Sequence, residues 1–285
     1  MEIIFIASEF APVAKVGGLG DVVGGLSEAL AKKGHSVNVI IPFYDSLLNI
    51  SKNKLTLSNE LYTFSISDIS FGFRVWNAHF NKVQLSLIEP TGSVNFFKRN
   101  HIYGEKDDNL RFSFFVKSAF EYLLFLKTPI DILHLNDWMS SIAAPLYKEE
   151  YSHKQLVIKK IVTTIHNIKH QGVMHPDELK SIGINVSKFS LCKQIQQDNK
   201  PKKINLLKAG IVYSDFITTV SPSYCDEIIT DKGFGLEKTI KNNLCKIQGI
   251  LNGIDTNYWN PQTDPLIQFK FPRDVYDLKK VVDAK

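Results

Sequence analysis

The chain has 285 residues, 44% hydrophobic and 22% charged, with 34 Lys and Arg against 29 Asp and Glu, for a net charge of +5. This is the composition of a soluble globular protein with enough apolar material for one large domain or two small ones. It excludes a bilayer-spanning segment, which needs ~20 apolar residues, and leaves the lysine doublets too scattered to form a nucleic-acid surface.

Taken in chain order, the first apolar run is Ile3-Ile4-Phe5-Ile6-Ala7, which predicts a strand; Glu2 and a strand at this point predict no secretory signal. Glu9 to Val23 follows, with Gly17, Gly18 and Gly20 ahead of Leu19, Val22, Val23, Leu26 and Leu30 at helical spacing. Strand, glycine loop and helix N-terminus together suit a phosphate, and Lys15 adds a full positive charge beside them. A phosphorylated, nucleotide-linked ligand is expected there; a tight turn with close helix–sheet packing is the alternative. No Gly-Lys-Ser/Thr follows the glycines, and their spacing departs from Gly-x-Gly-x-x-Gly, which argues against a Walker-type loop and a dehydrogenase.

Ser36 to Ile41 predicts a second strand, ended by Pro42. Between Leu55 and Ile88 alternating runs predict a β-meander or inserted hairpins. Asn109 to Lys127 returns to helical spacing. Four buried-type strands follow, Ile130–His134, Lys160–Ile165, Phe216–Val220 and Ile247–Leu251, separated by helical material. The polar stretch from Asn185 to Lys203 reads as a mobile surface loop. Cys192, Cys225 and Cys245 are few and far apart, which suggests a reducing compartment and offers no metal-site spacing. The alternation predicts an α/β fold: a Rossmann-like, doubly wound, mainly parallel sheet with inserted hairpins.

Polar residues stand directly after these strands: Glu9, then Asn136-Asp137-Trp138, His166-Asn167, Ser221-Pro222-Ser223 and Asn252-Gly253. In doubly wound sheets ligands bind outside the carboxyl ends of the strands, so topology alone should gather them into one cleft. Each also has a structural alternative. Asp137 could cap the helix that starts at Trp138, His166 could be a hydrogen-bonded core histidine, Asn252-Gly253 could be a turn, and Ser221-Pro222 reads as an N-cap with proline behind it. The chain has no Gly-x-Ser-x-Gly, Asp-x-Asp or His-Glu-x-x-His, which removes support for hydrolase and metal-dependent chemistry; neither metal nor cofactor is expected.

These residues resemble a known family. Lys15-Val16-Gly17-Gly18-Leu19-Gly20-Asp21-Val22-Val23 is similar to the N-terminal signature of bacterial glycogen synthases and plant starch synthases. Tyr103-Gly104, Asp108-Asn109-Leu110-Arg111-Phe112, His134-Leu135-Asn136-Asp137-Trp138, Thr164-Ile165-His166-Asn167, Thr218–Pro222 and Gly249–Asp255 continue the resemblance in order. Glu9–Val23 and Ile40–Asp45 look closest to the plant starch synthase III/IV type. The resemblance implies the N-terminal half of a GT-B fold, with residues 1–265 as the domain and 266–285 leading to a C-terminal GT-B domain, on the same or a separate chain.

It further implies retaining transfer of glucose from ADP-glucose or UDP-glucose to the 4-hydroxyl of an α-1,4-glucan, in bacterial cytosol or plastid stroma. Lys15, Gly17, Gly18 and Asn167 would then touch the donor, and Asp137 and His166 the transfer site. Glu9, Asp21, Tyr103 and Asn252 would shape the cleft and its acceptor side. Asn136 and Met139 stand where the family often has histidine. The family's second-half residues for the diphosphate have no counterpart here, so little independent activity is expected. A non-catalytic glucan-binding or regulatory module is the alternative.

Overall fold

The computed structural model describes residues 1–45, 54–66, 69–92, 95–256, 258–268 and 270. Residues 271–285, most of the expected tail, lie outside the described residues. The chain divides into two compact units, Met1–Asn252 and Gly253–Lys285.

The first unit opens with β1 (Glu2–Ile6), α1 (Gly18–Lys32) and β2 (Ser36–Pro42). β3 (Thr56–Leu57), β4 (Tyr62–Ile66), β5 (Ile69–Phe80) and β6 (Val83–Pro90) follow, then α2 (Asp108–Leu126) and β7 (Ile130–Asn136). Next come α3 (Asp137–Ser141), α4 (Ala143–Leu146), β8 (Ile158–Ile165), β9 (Val173–Met174) and α5 (Pro176–Ser181). β10 (Gln196–Gln197), β11 (Lys200–Asn205), α6 (Leu206–Tyr213), β12 (Phe216–Thr219), α7 (Pro222–Glu227), α8 (Glu237–Lys241) and β13 (Ile247–Gly249) complete it.

Ten strands form one sheet in the order β13-β12-β8-β7-β1-β2-β6-β5-β3, with β4 paired to β5. The seven strands from β13 to β6 are parallel, as their buried, β-branched runs predict. The meander turns out to be antiparallel: β5 hydrogen-bonds to β6, which itself lies parallel to β2. The chain builds outward from β1 through β2 to β6 and then returns to lay β7 on the other side of β1. Strand order therefore reverses between β1 and β7, the place where doubly wound sheets open a ligand crevice.

α1 departs from the expected pattern. Leu26 is 37% exposed, and the buried face carries Leu19, Gly20, Val23, Gly24, Ser27 and Ala31 instead. Small residues let the preceding loop lie directly on the helix, so that a Cβ on Gly24 would come within 2.6 Å of the Ala11 carbonyl oxygen. Leucine counting misses such a face because close approach, not side-chain volume, fills the space.

The segment from Asn185 to Lys203 is not the unstructured surface loop expected from its polarity. It carries β10 and the start of β11 in a three-stranded antiparallel sheet with β9, and it buries Val186, Phe189 and Ile195. Three apolar anchors spaced through polar sequence suffice, because Asn205 then donates to both Gln171 and Gln197 at 2.7 Å. Ser221 does cap α7, accepting from the Tyr224 N–H at 3.0 Å with Pro222 behind it. In the second unit Trp259 N–H donates to the Asp255 carbonyl at 2.9 Å, and Tyr258 meets Trp259 edge-on.

Substituting Gly24→Ala should destabilise the protein, by up to about 2 kcal/mol. The clash of a Cβ with a backbone oxygen, of order 1–3 kcal/mol, outweighs the ~1 kcal/mol that alanine adds to a helix. Urea unfolding that shows a gain in stability would contradict this packing.

Candidate functional site

Asp137 follows the last residue of β7 and has φ +55°, the left-handed region that a residue with a Cβ enters at a cost of about 1–3 kcal/mol. Its side chain does not cap α3. Its Oδ1 accepts the backbone N–H groups of His166 at 2.7 Å and Asn167 at 3.2 Å, and so ties the end of β7 to the end of β8. Burial, opposed by those two N–H groups and reinforced by the nearby charge of Glu9, pushes the carboxyl up to about 7.

Glu9, beyond the end of β1, is equally committed. Its Oε2 accepts from Val16 N–H at 2.6 Å and Gly17 N–H at 3.0 Å, and its Oε1 accepts from the Tyr103 hydroxyl at 2.6 Å. Tyr103 also meets Ser8 Oγ at 2.7 Å, and the Tyr44 hydroxyl donates to the Ser8 carbonyl at 2.9 Å. Burial, with the Glu9 carboxylate beside it, holds the Tyr103 phenol well above its usual range. The glycine loop is thus braced from beneath by a carboxylate. The Gly17 N–H, one of the donors expected to meet phosphate, is already engaged.

His166 is half-buried, and its Nε2 lies 3.1 Å from Asn136 Oδ1. Burial lowers its pKa to about 4, and the likewise half-buried His134, stacked on Phe5, falls to about 3. His134 Nε2 contacts Thr164 Oγ1 at 2.6 Å, which continues to Thr218 Oγ1 at 2.7 Å, a polar chain across β7, β8 and β12. Both imidazoles are neutral at neutral pH.

Lys15 Nζ pairs with Asp21 Oδ1 at 2.7 Å, and both side chains are a third or more exposed. An exposed pair of this kind contributes about 0–1 kcal/mol, so an incoming anion can draw Lys15 away at small cost. No side chain caps α1, and a Cβ on Gly17 or Gly18 would meet nothing within 4 Å. Among the described residues nothing therefore requires glycine there for want of space. Asn167 and Asn252 are exposed, and Asn252 stands outside the network, its backbone N–H donating to the Val220 carbonyl at 3.2 Å.

Sequence reasoning missed two contributors. Tyr224 sits near Asp137 and accepts the Ile168 N–H at 3.0 Å. An open groove of about 600 Å³ is lined by Glu105, Asn109, Trp138, Lys169, Gly172 and Phe234 among others. Its lining continues the same loops that carry Tyr103, Asp137 and His166. Phe234 is 53% exposed at φ +51°, and its carbonyl accepts from Gln171 Nε2 at 3.0 Å. An exposed aromatic in that backbone region has no propensity signal to announce it.

The elevated Asp137 pKa sets a pH dependence. The folded carboxyl holds its proton up to about pH 7, whereas the unfolded one releases it near 4, so the folded state binds the extra proton between these values. Asp137 therefore removes stability as the pH rises through that window. Asp137→Asn should leave stability unchanged at pH 4 and raise it by about 2–4 kcal/mol at pH 8. The depressed histidines act in the opposite direction in both proteins and cancel in the difference. Parallel curves of denaturation midpoint against pH would rule out a buried, proton-holding Asp137.

The family profile described as starch synthase catalytic domain matches residues 2–242. The chain is 44% identical over 266 residues to a glycogen synthase of Protochlamydia amoebophila, covering 93% of this chain and 53% of that protein. It is 39% identical over 270 residues to a probable chloroplastic/amyloplastic starch synthase 4 of Arabidopsis thaliana, covering 94% of this chain and 26% of that one. A solved structure, the catalytic domain of Arabidopsis thaliana starch synthase IV bound to ADP and acarbose, superimposes with a TM-score of 0.89 at 39% identity. That match covers 95% of this chain and 55% of the other. The chain thus spans about half the length, or less, of the relatives it matches, and within that span it belongs to the starch synthase catalytic-domain family of glycosyltransferases.

Proposed function

We propose that the chain is the N-terminal half of a retaining α-1,4-glucosyltransferase that moves glucose from ADP-glucose or UDP-glucose to the 4-hydroxyl at the non-reducing end of a glucan. The observation that carries this reading is the meeting of Glu9, Asp137 and His166 at the switch point between β1 and β7, in a chain of this family. In this reading residues 1–265 form the domain, and 266–285 lead to a C-terminal GT-B domain on the same or a separate chain.

Donor phosphates would settle over Gly17, Gly18 and the uncapped start of α1, where glycine leaves the approach open, with Lys15 leaving Asp21 to meet them. Asn167 would complete the donor side, and Asp21 and Asn252 the rim. As the diphosphate departs, positive charge gathers on the sugar. Where Asp137 is already ionised, its buried carboxylate stabilises that charge with no proton transfer needed. Both imidazoles remain neutral and so add no repulsion. The groove from Trp138 to Phe234 offers the acceptor chain a path away from Asp137.

Joined to a C-terminal half from a relative, the chain should elongate maltooligosaccharides from nucleotide-glucose, and Asp137→Asn should slow that by about 10²–10³. Alone it should show little transfer, since half the charge stabilisation is missing. Glucan binding with no donor response in the joined protein would instead mark a binding module. Phe234→Ala should weaken maltoheptaose binding about tenfold, equal to ~1.4 kcal/mol, and maltotriose binding less. Equal affinities in calorimetry would remove the groove from the acceptor path.

A further inference from the structure

Asn136 occupies a position where the family often carries histidine, and its side chain is 1% exposed. Its two ends face different partners. The Nδ2 lies 3.4 Å from the Ile6 carbonyl oxygen, and the Oδ1 lies 3.1 Å from His166 Nε2. A carbonyl oxygen only accepts, so it selects the amide nitrogen and fixes which way the carboxamide points. The Oδ1 that remains for His166 also only accepts, and His166 Nε2 must then carry a proton.

In a neutral imidazole one nitrogen is a donor and the other an acceptor. With the proton held on Nε2, Nδ1 keeps its lone pair. Nδ1 has no partner among the described residues, and it is not among their buried polar atoms left unpaired, which comprise Ser118 Oγ alone. Its lone pair is therefore open to solvent. The backbone of the same residue is held independently by Asp137 Oδ1, so ring and backbone are fixed from two sides. The low pKa of His166 agrees with a ring that stays neutral.

We propose that Asn136 is a positioning residue that locks His166 as the Nε2–H tautomer, so that Nδ1 presents an acceptor to a sugar hydroxyl at the strand ends. The sugar rests on the function proposed above; the tautomer does not. An Nδ1–H ring would offer a donor instead and could not accept from a hydroxyl at that atom.

The test is nitrogen-15 NMR of the imidazole in the 285-residue chain at neutral pH. His166 should show a protonated Nε2 and an unprotonated Nδ1, as one species. An Nδ1–H ring, or comparable amounts of both forms, overturns the proposal, and this reading needs no variant. Asn136→Ala should release the ring into a mixture of tautomers; a pure Nε2–H form there shows that Asn136 is not the cause. Asn136→Asp keeps the shape and places a carboxylate against Nε2, so the His166 titration should move up by about 1–3 pH units, and an unmoved titration counts equally against the lock. Maltotriose should then shift the Nδ1 resonance with the Nε2 proton retained. No shift at any concentration overturns the hydroxyl contact alone, and none of the sugar-free outcomes bears on whether the joined enzyme transfers glucose.

Discussion

The pair of hydrogen bonds from the His166 and Asn167 backbone to the Asp137 carboxylate is the constraint on which the site depends. Parallel strands end with unpaired backbone N–H groups pointing outward. At the switch point no neighbouring connection covers them. Asp137 meets two of them with one oxygen, and it reaches them because its own backbone sits in the left-handed region. The cost of that conformation and of burying a carboxyl is offset by donors that cannot move away. Glu9 repeats the arrangement one strand over, holding Val16 and Gly17. Two buried carboxylates thereby set the positions of the two loops on either side of the crevice.

Much of this was legible in the sequence. Runs of β-branched residues each followed by a polar residue gave both the parallel sheet and the gathering of Glu9, Asp137 and His166, because the carboxyl ends of parallel strands lie on one edge. The use of each carboxylate was not legible. Whether Asp137 caps a helix or ties two strands turns on one backbone angle, and sequence position is the same in both cases. The small-residue face of α1 was hidden because glycine and serine read as weak helix formers rather than as contact surface. Asn185–Lys203 was misread because three buried side chains, Val186, Phe189 and Ile195, are diluted by lysines and glutamines.

The charges that remain differ in how firmly they are held. Glu9 and Asp137 are fixed by backbone donors, and the two histidines are kept neutral by enclosure. Among the described residues Lys15 is held by the exposed carboxylate of Asp21 alone. A cation that loses little by changing partner is suited to an anion that arrives and leaves, whereas a carboxylate locked in place is suited to charge that develops for an instant. In the first case affinity has to be reversible; in the second, reorganisation at the moment of reaction would forfeit the stabilisation.

The elevated pKa of Asp137 comes first from burial, and burial also decides what its charge can do. In that low-dielectric place an ionised carboxyl acts strongly on a cation beside it, even with two backbone donors satisfied. Molecules in which Asp137 still holds its proton lack that interaction, so pH sets the share of chains able to make it. The stability that Asp137 withholds above about pH 4 is the cost of ionising a carboxyl in that buried place, offset only in part by its two backbone donors; under the proposed function it is the counterpart of a charge kept for the sugar.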